Sequence, residues 1–165
     1  MATLIDKTFF VAELAIPVNL VGNESVLNSM IQKYETKFMK ALFGTEIYDK
    51  VLNNGNDEPW KTLKGLLVDT ENKRSCIANY VYFKYLNNQE LATTGTGVVK
   101  QKSENSYRSA PTMKIFRAMS ECREDVNYFI YTFMPKNTSL YPTWIVKDAK
   151  KFYYDEIKGV NFYNL

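Results

Sequence analysis

No histidine occurs among the 165 residues, so Ser–His–Asp and Cys–His nucleophile systems, imidazole metal ligands and the usual neutral-pH general base are all absent. The chemistry left to this chain rests on carboxylates, lysines, two thiols and one glycine-rich turn. Cys76 and Cys122 each stand apart from any other cysteine, which allows neither a zinc cluster nor a dense disulfide framework. Both read as reduced, buried thiols. Gly95-Thr96-Gly97 lacks the third glycine, the Gly-Lys-Ser/Thr ending and the βαβ context of a phosphate loop, and reads as a flexible turn. Glu121, Glu124 and Asp125 share a helical stretch with Arg117 and Arg123 at spacings that suit ordinary surface ion pairs. No catalytic, metal-binding or cofactor-binding set emerges.

Two segments carry a different kind of signal. Lys147, Lys150 and Lys151 stand beside Phe152, Tyr153 and Tyr154, the mixture in which amines meet phosphates while rings stack on bases. Asp148, Asp155 and Glu156 dilute that field, and rings docking into a protein groove are the preferred reading, with a nucleic-acid contact as the alternative. Lys100, Lys102 and Arg108 against Glu104 leave a polar loop with a basic balance, and its glycines and serines let it change shape on contact. Loops of this length inside a compact domain are uncommon unless they have a task. The net charge of +3 selects no partner by itself. No apolar run approaches the length of a membrane span, and the first ten residues lack the pattern of a signal peptide, so a soluble, unexported protein is expected.

These residues need elements to hold them. With 45% apolar and 24% charged residues, the chain has the composition of a folded globular domain. A short helix is expected over residues 6–14. Asn23 or Ser25 caps a long helix carrying Leu27, Met30, Ile31, Tyr34, Phe38, Ala41 and Leu42 on one face, stopped by Gly44. Thr45 caps a second helix with Ile47, Tyr48, Val51 and Leu52, and Pro59 marks the start of a third through Trp60, Leu63, Leu66 and Leu67. The clearest helical pattern runs over residues 71–91, where Ile77, Tyr80, Val81, Tyr85 and Leu86 share a face and no Gly or Pro interrupts. Residues 92–110 read as a long loop or frayed hairpin containing Val98 and Val99. A further helix from Pro111 buries Met113, Phe116, Met119, Val126, Ile130 and Phe133 until Pro135. Leu27, Ile31, Phe38, Leu42, Ile77, Val81, Phe116, Met119, Ile130 and Phe133 form the expected core.

The fold class that follows is mainly α: a small helical bundle over residues 1–135, with a loop or short β-hairpin between two long helices. Residues 136–165 hold seven aromatic rings without clear periodicity and read as a docking arm leaving the bundle at Pro135, the alternative being that the segment folds back to cover its own bundle. Tyr141, Trp144, Tyr153 and Tyr154 are its candidate contacts, with Trp144 and Tyr154 as anchors.

The order of these features resembles the head–tail connector, or adaptor, proteins of tailed bacteriophages, especially the ring proteins of crAss-like phages. The matching pieces are Tyr34-Glu35-Thr36-Lys37-Phe38 leading to Leu42-Phe43-Gly44 and Tyr48, then Ala78-Asn79-Tyr80-Val81-Tyr82-Phe83-Lys84-Tyr85-Leu86. The most specific stretch is Thr93-Thr94-Gly95-Thr96-Gly97-Val98-Val99-Lys100, continued by Lys102-Ser103-Glu104-Asn105-Ser106 and Arg108. The resemblance covers residues 25–134. It implies a non-enzymatic virion protein without cofactors, assembled in the host cytoplasm as a homo-oligomeric, typically twelve-fold ring in the head–tail neck. Its implied partners are the portal above and a tail or second ring protein below, with DNA passing through the lumen. The interface residues expected on this basis are Thr94, Gly95, Gly97, Val98, Val99, Lys100, Lys102, Asn105 and Arg108.

Overall fold

The computed structural model describes residues 2–16, 23–89, 91–94, 97–100 and 109–158. It is mainly helical, built from α1 (Asn23–Phe43), α2 (Thr45–Asn53), α3 (Trp60–Leu67), α4 (Cys76–Gln89), α5 (Ser109–Tyr128), the single turn α6 (Met134–Lys136) and α7 (Val146–Phe152). Two small antiparallel hairpins join them, β1 (Val68–Asp69) with β2 (Arg74–Ser75) and β3 (Leu91–Thr94) with β4 (Gly97–Lys100).

Helix α1 buries Leu27, Ile31, Phe38 and Leu42 as their spacing predicts, and adds Met39 and Phe43. It ends at Gly44, whose φ of 89° lies where L side chains rarely go. The Gly44 N–H donates to the Lys40 carbonyl at 3.0 Å and its carbonyl accepts from Tyr48 N–H at 3.2 Å. One glycine thus closes α1 and opens α2. Gly44 occupies the cap position expected of Thr45, and no side chain caps α2.

The expected helix over residues 71–91 begins only at Cys76. Asp69 accounts for the difference: its carboxylate accepts from the Glu71 and Asn72 backbone N–H groups at 3.1 and 2.9 Å, and so folds residues 69–72 into a turn. Ser75 then caps α4 by accepting from Ile77 N–H at 3.1 Å. The expected helix over residues 6–14 is instead two 3₁₀ turns, Lys7–Phe9 and Ala12–Leu14, the first capped by Asp6.

The most extensive packing is between α4 and α5, followed by α1 against α4. In α5 the buried stripe is Ile115, Ala118, Met119, Cys122 and Val126, continued by Phe129 and Ile130. Phe116, expected in the core, is 44% exposed, and Phe133 is half-buried against the core edge. The β3–β4 hairpin is inserted between α4 and α5, with Leu91 opposite Lys100 and Thr94 opposite Gly97.

Pro135 does not release the chain as expected. The backbone widens into a π-helical turn over Phe129–Phe133, Met134 N–H reaches the Phe129 carbonyl, and α6 carries Pro135 with helical geometry. Asn137 then donates its side-chain amide to the Phe133 carbonyl at 2.7 Å and ends the helix. Beyond it the chain folds back: α7 packs on α1, and Tyr141, Ala149, Phe152, Tyr153 and Ile157 join the same core as Ile5, Phe9 and Phe10. The docking arm is thereby corrected for residues 137–158, which complete the bundle. The physical reason is that α1, α4 and α5 leave aromatic faces uncovered. Phe152 closes one of them, its ring centroid 5.6 Å from Phe38 and 5.8 Å from Tyr80.

Candidate functional site

Two groups of expected contact residues occupy different parts of the molecule. Thr94, Gly97, Val98, Val99 and Lys100 lie on the β3–β4 hairpin, whereas Gly95, Lys102, Asn105 and Arg108 lie outside the described residues. The pairing follows from the sequence: Thr93, Val98 and Val99 favour extended backbone, and Thr93 faces Val98 in the ladder.

The C-terminal aromatics divide by direction. Tyr141 is buried and donates its hydroxyl to the Pro59 carbonyl at 2.9 Å, with its ring 5.6 Å from Trp60. Trp144 donates its indole N–H to the Leu42 carbonyl, near the end of α1, at 2.9 Å. Tyr153 is buried. These three, expected as contacts to a partner, are committed within the chain. Tyr154 points outward at 49% exposure, and there it meets Tyr131 of the π-helical turn, itself 47% exposed and absent from the sequence expectation. The two hydroxyls are 3.5 Å apart; Lys150 lies over the Tyr131 ring at 5.3 Å and Lys158 over Tyr154 at 4.8 Å. The shared hydrogen bond raises the Tyr131 phenol and lowers that of Tyr154, with Lys158 adding to the latter shift. Lys147 and Lys151 are exposed on the same helix. The result is a surface of two rings and several ammonium groups, suited to an anionic or planar partner.

Two buried-face glutamates escaped the sequence reading as site residues. Glu35 is 0% exposed, and its carboxylate accepts from Leu4 N–H at 2.7 Å, Ile5 N–H at 3.1 Å and the Tyr48 hydroxyl at 2.9 Å. Burial pushes its pKa up despite those donors, and burial together with Glu35 pushes Tyr48 up to about 12. Its spacing from Ile31 and Met39 placed it on the buried stripe, which is the signal that could have found it. Glu156 bridges Lys37 at 2.6 Å and Lys84 at 2.8 Å. Burial alone would raise its pKa, but the two lysines outweigh that and hold it at about 2.

Cys76 and Cys122 are buried free thiols, and burial pushes both well up, away from the thiolate form. Arg117 and Glu121 of the acidic stretch of α5 find partners outside that helix. Arg117 reaches Glu13 at 3.2 Å and Glu121 accepts from the Asn79 amide at 3.2 Å. Asp125 is pushed up to about 6 by burial and by Glu121 and Glu124. Among the described residues no group of three or more Cys, Asp or Glu side chains is placed to hold a metal ion, and no helix is long and apolar enough to cross a membrane. No protein-family model, no curated protein and no solved structure matches the chain.

Proposed function

We propose that this chain is a ring-forming connector protein of a tailed-bacteriophage virion, seated between portal and tail and extending the DNA channel, with no catalytic role. The observation that carries the reading is the β3–β4 hairpin inserted between α4 and α5, on the very residues where the resemblance to such proteins is most specific. A rigid bundle that presents a hairpin at one place and an aromatic–lysine surface at another has two different contact elements. Head-to-tail rings require that arrangement, since each subunit offers unlike surfaces to its two neighbours. The portal, a tail or second ring protein and further copies of the chain are the proposed partners, in the neck of the virion.

The test is electron microscopy of the purified chain alone and with its cognate portal. Closed rings with cyclic symmetry, alone or on the portal, are expected. A monomer at all concentrations with no portal-bound density would overturn the reading. Replacing residues 93–108 by a short Gly/Ser turn should leave the monomer folded and stop assembly.

A nucleic-acid-binding role is the second reading, favoured by Tyr131 and Tyr154 with Lys150 and Lys158 stacked over them. It requires DNA affinity of the isolated chain that falls steeply with salt and falls further on Lys150→Gln.

A further inference from the structure

We propose that the cleft between residues 9–14 and the turn joining β1 to β2 binds an oxyanion, a phosphate or carboxylate group held by Lys73, Arg74 and Lys114. None of its described lining residues belongs to the β3–β4 hairpin or the tyrosine surface, and the inference goes beyond the connector reading. It has a volume of about 180 Å³ and is walled by the amino-terminal segment, the β1–β2 turn, α4 and α5.

Lys73 and Arg74 from the β1–β2 hairpin and Lys114 from α5 all line it. Among the described residues none of the three side chains is in an ion pair within 4 Å or a hydrogen bond, though Lys73 and Arg74 act at longer range on the Asp6 and Asp69 carboxylates, respectively, and help lower their pKa values. Lys73 instead lies over the Phe9 ring at 5.3 Å. Of the acids in the wall, Glu13 is paired with Arg117, while Glu121 accepts from the neutral Asn79 amide and keeps its charge, which leaves three cations against one carboxylate not paired with a cation. Gathering like charges costs Coulomb energy that a bound anion relieves. Ser75, buried beneath them, accepts from Ile77 N–H through its hydroxyl oxygen and so keeps its own proton to donate.

The backbone points to the same place. Ala12 at φ 51° and Lys73 at φ 56° are the two non-glycine residues in left-handed conformation among those described, and both line this cleft. Side chains rarely adopt that conformation, and such residues concentrate at binding sites. An adjoining cleft shares Arg74, Ser75, Asn79 and Glu121 and is also lined by Asp69, Glu124 and Asp125. Those carboxylates disfavour a long polyanion lying across both clefts.

The test is a ¹H–¹⁵N NMR titration of the full chain at constant ionic strength, once with inorganic phosphate and once with a short acidic peptide, chloride serving as control. Saturable shifts centred on the amides of residues 73–75 and 114 are expected. Arg74→Gln and Lys114→Gln should each weaken binding about tenfold, the scale of one lost charge-assisted hydrogen bond. Lys73→Asn should do the same while supplying a residue that tolerates the left-handed backbone. Saturation by phosphate alone assigns a phosphate-bearing ligand, and saturation by the peptide alone assigns a carboxylate from a partner chain; both support the site. No saturable shift with either probe overturns it, as would unchanged affinity in all three folded variants.

Discussion

Glu35 and Glu156 each fasten one end of the described chain to the same bundle, but in opposite electrostatic regimes. Glu35 holds residues 4 and 5 through neutral donors in a site closed to solvent, so its charge is a burden that the hydrogen bonds only partly offset. Glu156 holds the C-terminal turn through two lysines at a partly open site, so its charge is the attachment. The first fastening is insensitive to salt and strained by ionisation; the second is weakened by salt and lost on protonation. Both converge on one ring cluster: Phe38 lies one helical turn from Glu35, and it packs at 5.3 Å on Tyr80, whose hydroxyl reaches Glu156 at 3.3 Å.

Removing that shared ring should therefore have the largest effect. Phe38 is 0% exposed, and Phe38→Ala should cost about 3–5 kcal/mol in chemical denaturation, loosening both ends together. Phe116→Ala, on the exposed side of α5, should cost less than about 1 kcal/mol. Equal losses at the two positions would reject the helix orientation described here.

Next in size is Glu35→Ala, which leaves the Leu4 and Ile5 backbone N–H groups without their acceptor and takes one of its partners from the Tyr48 hydroxyl. About 2–4 kcal/mol should be lost at neutral pH. Glu156→Gln should cost less, since Lys37 remains half exposed. The pH dependence separates the two more sharply than the magnitudes do. Glu35 has its folded pKa raised above 4.5, so the native state binds more protons than the unfolded chain, and stability falls as pH climbs from 4.5 through the folded value. Asp125, raised from 3.8 to about 6, acts in the same direction. Glu156 is lowered from 4.5 to about 2, so its stabilisation is complete above pH 4.5 and disappears as pH falls to about 2, a limb to which Asp6 and Asp69 also contribute. Thermal midpoints across this range should show Glu156→Gln flattening the acid limb. Glu35→Gln should flatten the decline above pH 4.5. The reverse assignment would break the contrast.

How much of this was legible varied with what each residue does. The stripe of α1 and the stop at Gly44 follow directly from spacing, because large apolar side chains at three-and-four intervals have one face to bury. In α5 the same reasoning erred: counting only bulky residues aligned the face with Met113 and Phe116, whereas the buried stripe uses the smaller Ala118 and Cys122 to let α4 approach. Pro135 and the dense rings after it read as an exit because proline cannot continue an ordinary helix. A π-helical turn and Asn137 absorb the disruption, and neither leaves a periodic mark. The site was legible only in part. Tyr154, expected as an anchor, faces outward, and its companion Tyr131 lies 23 residues away in sequence, a spatial pairing set by tertiary packing. The oxyanion cleft likewise draws on three distant segments.

The smallest effects distinguish rings that finish the fold from rings left for a partner. Trp144→Phe keeps the apolar body of the side chain but removes the donor to the Leu42 carbonyl, and about 1 kcal/mol should be lost in monomer unfolding. Tyr154→Ala removes an exposed ring that packs edge-on against Tyr153 at 5.4 Å and otherwise meets the Tyr131 hydroxyl and the Lys158 ammonium, both in reach of water that can replace them. Monomer stability should stay within experimental error of the parent. If the tyrosine surface is an inter-subunit contact, as the connector reading proposes, the same variant should reduce ring yield on the portal, while Trp144→Phe should reduce it only as far as it unfolds the monomer. Sedimentation velocity under conditions where both variants are fully folded makes the comparison. Loss of assembly in Trp144→Phe with assembly retained in Tyr154→Ala would reverse the roles of the two rings and remove Tyr154 from the interface.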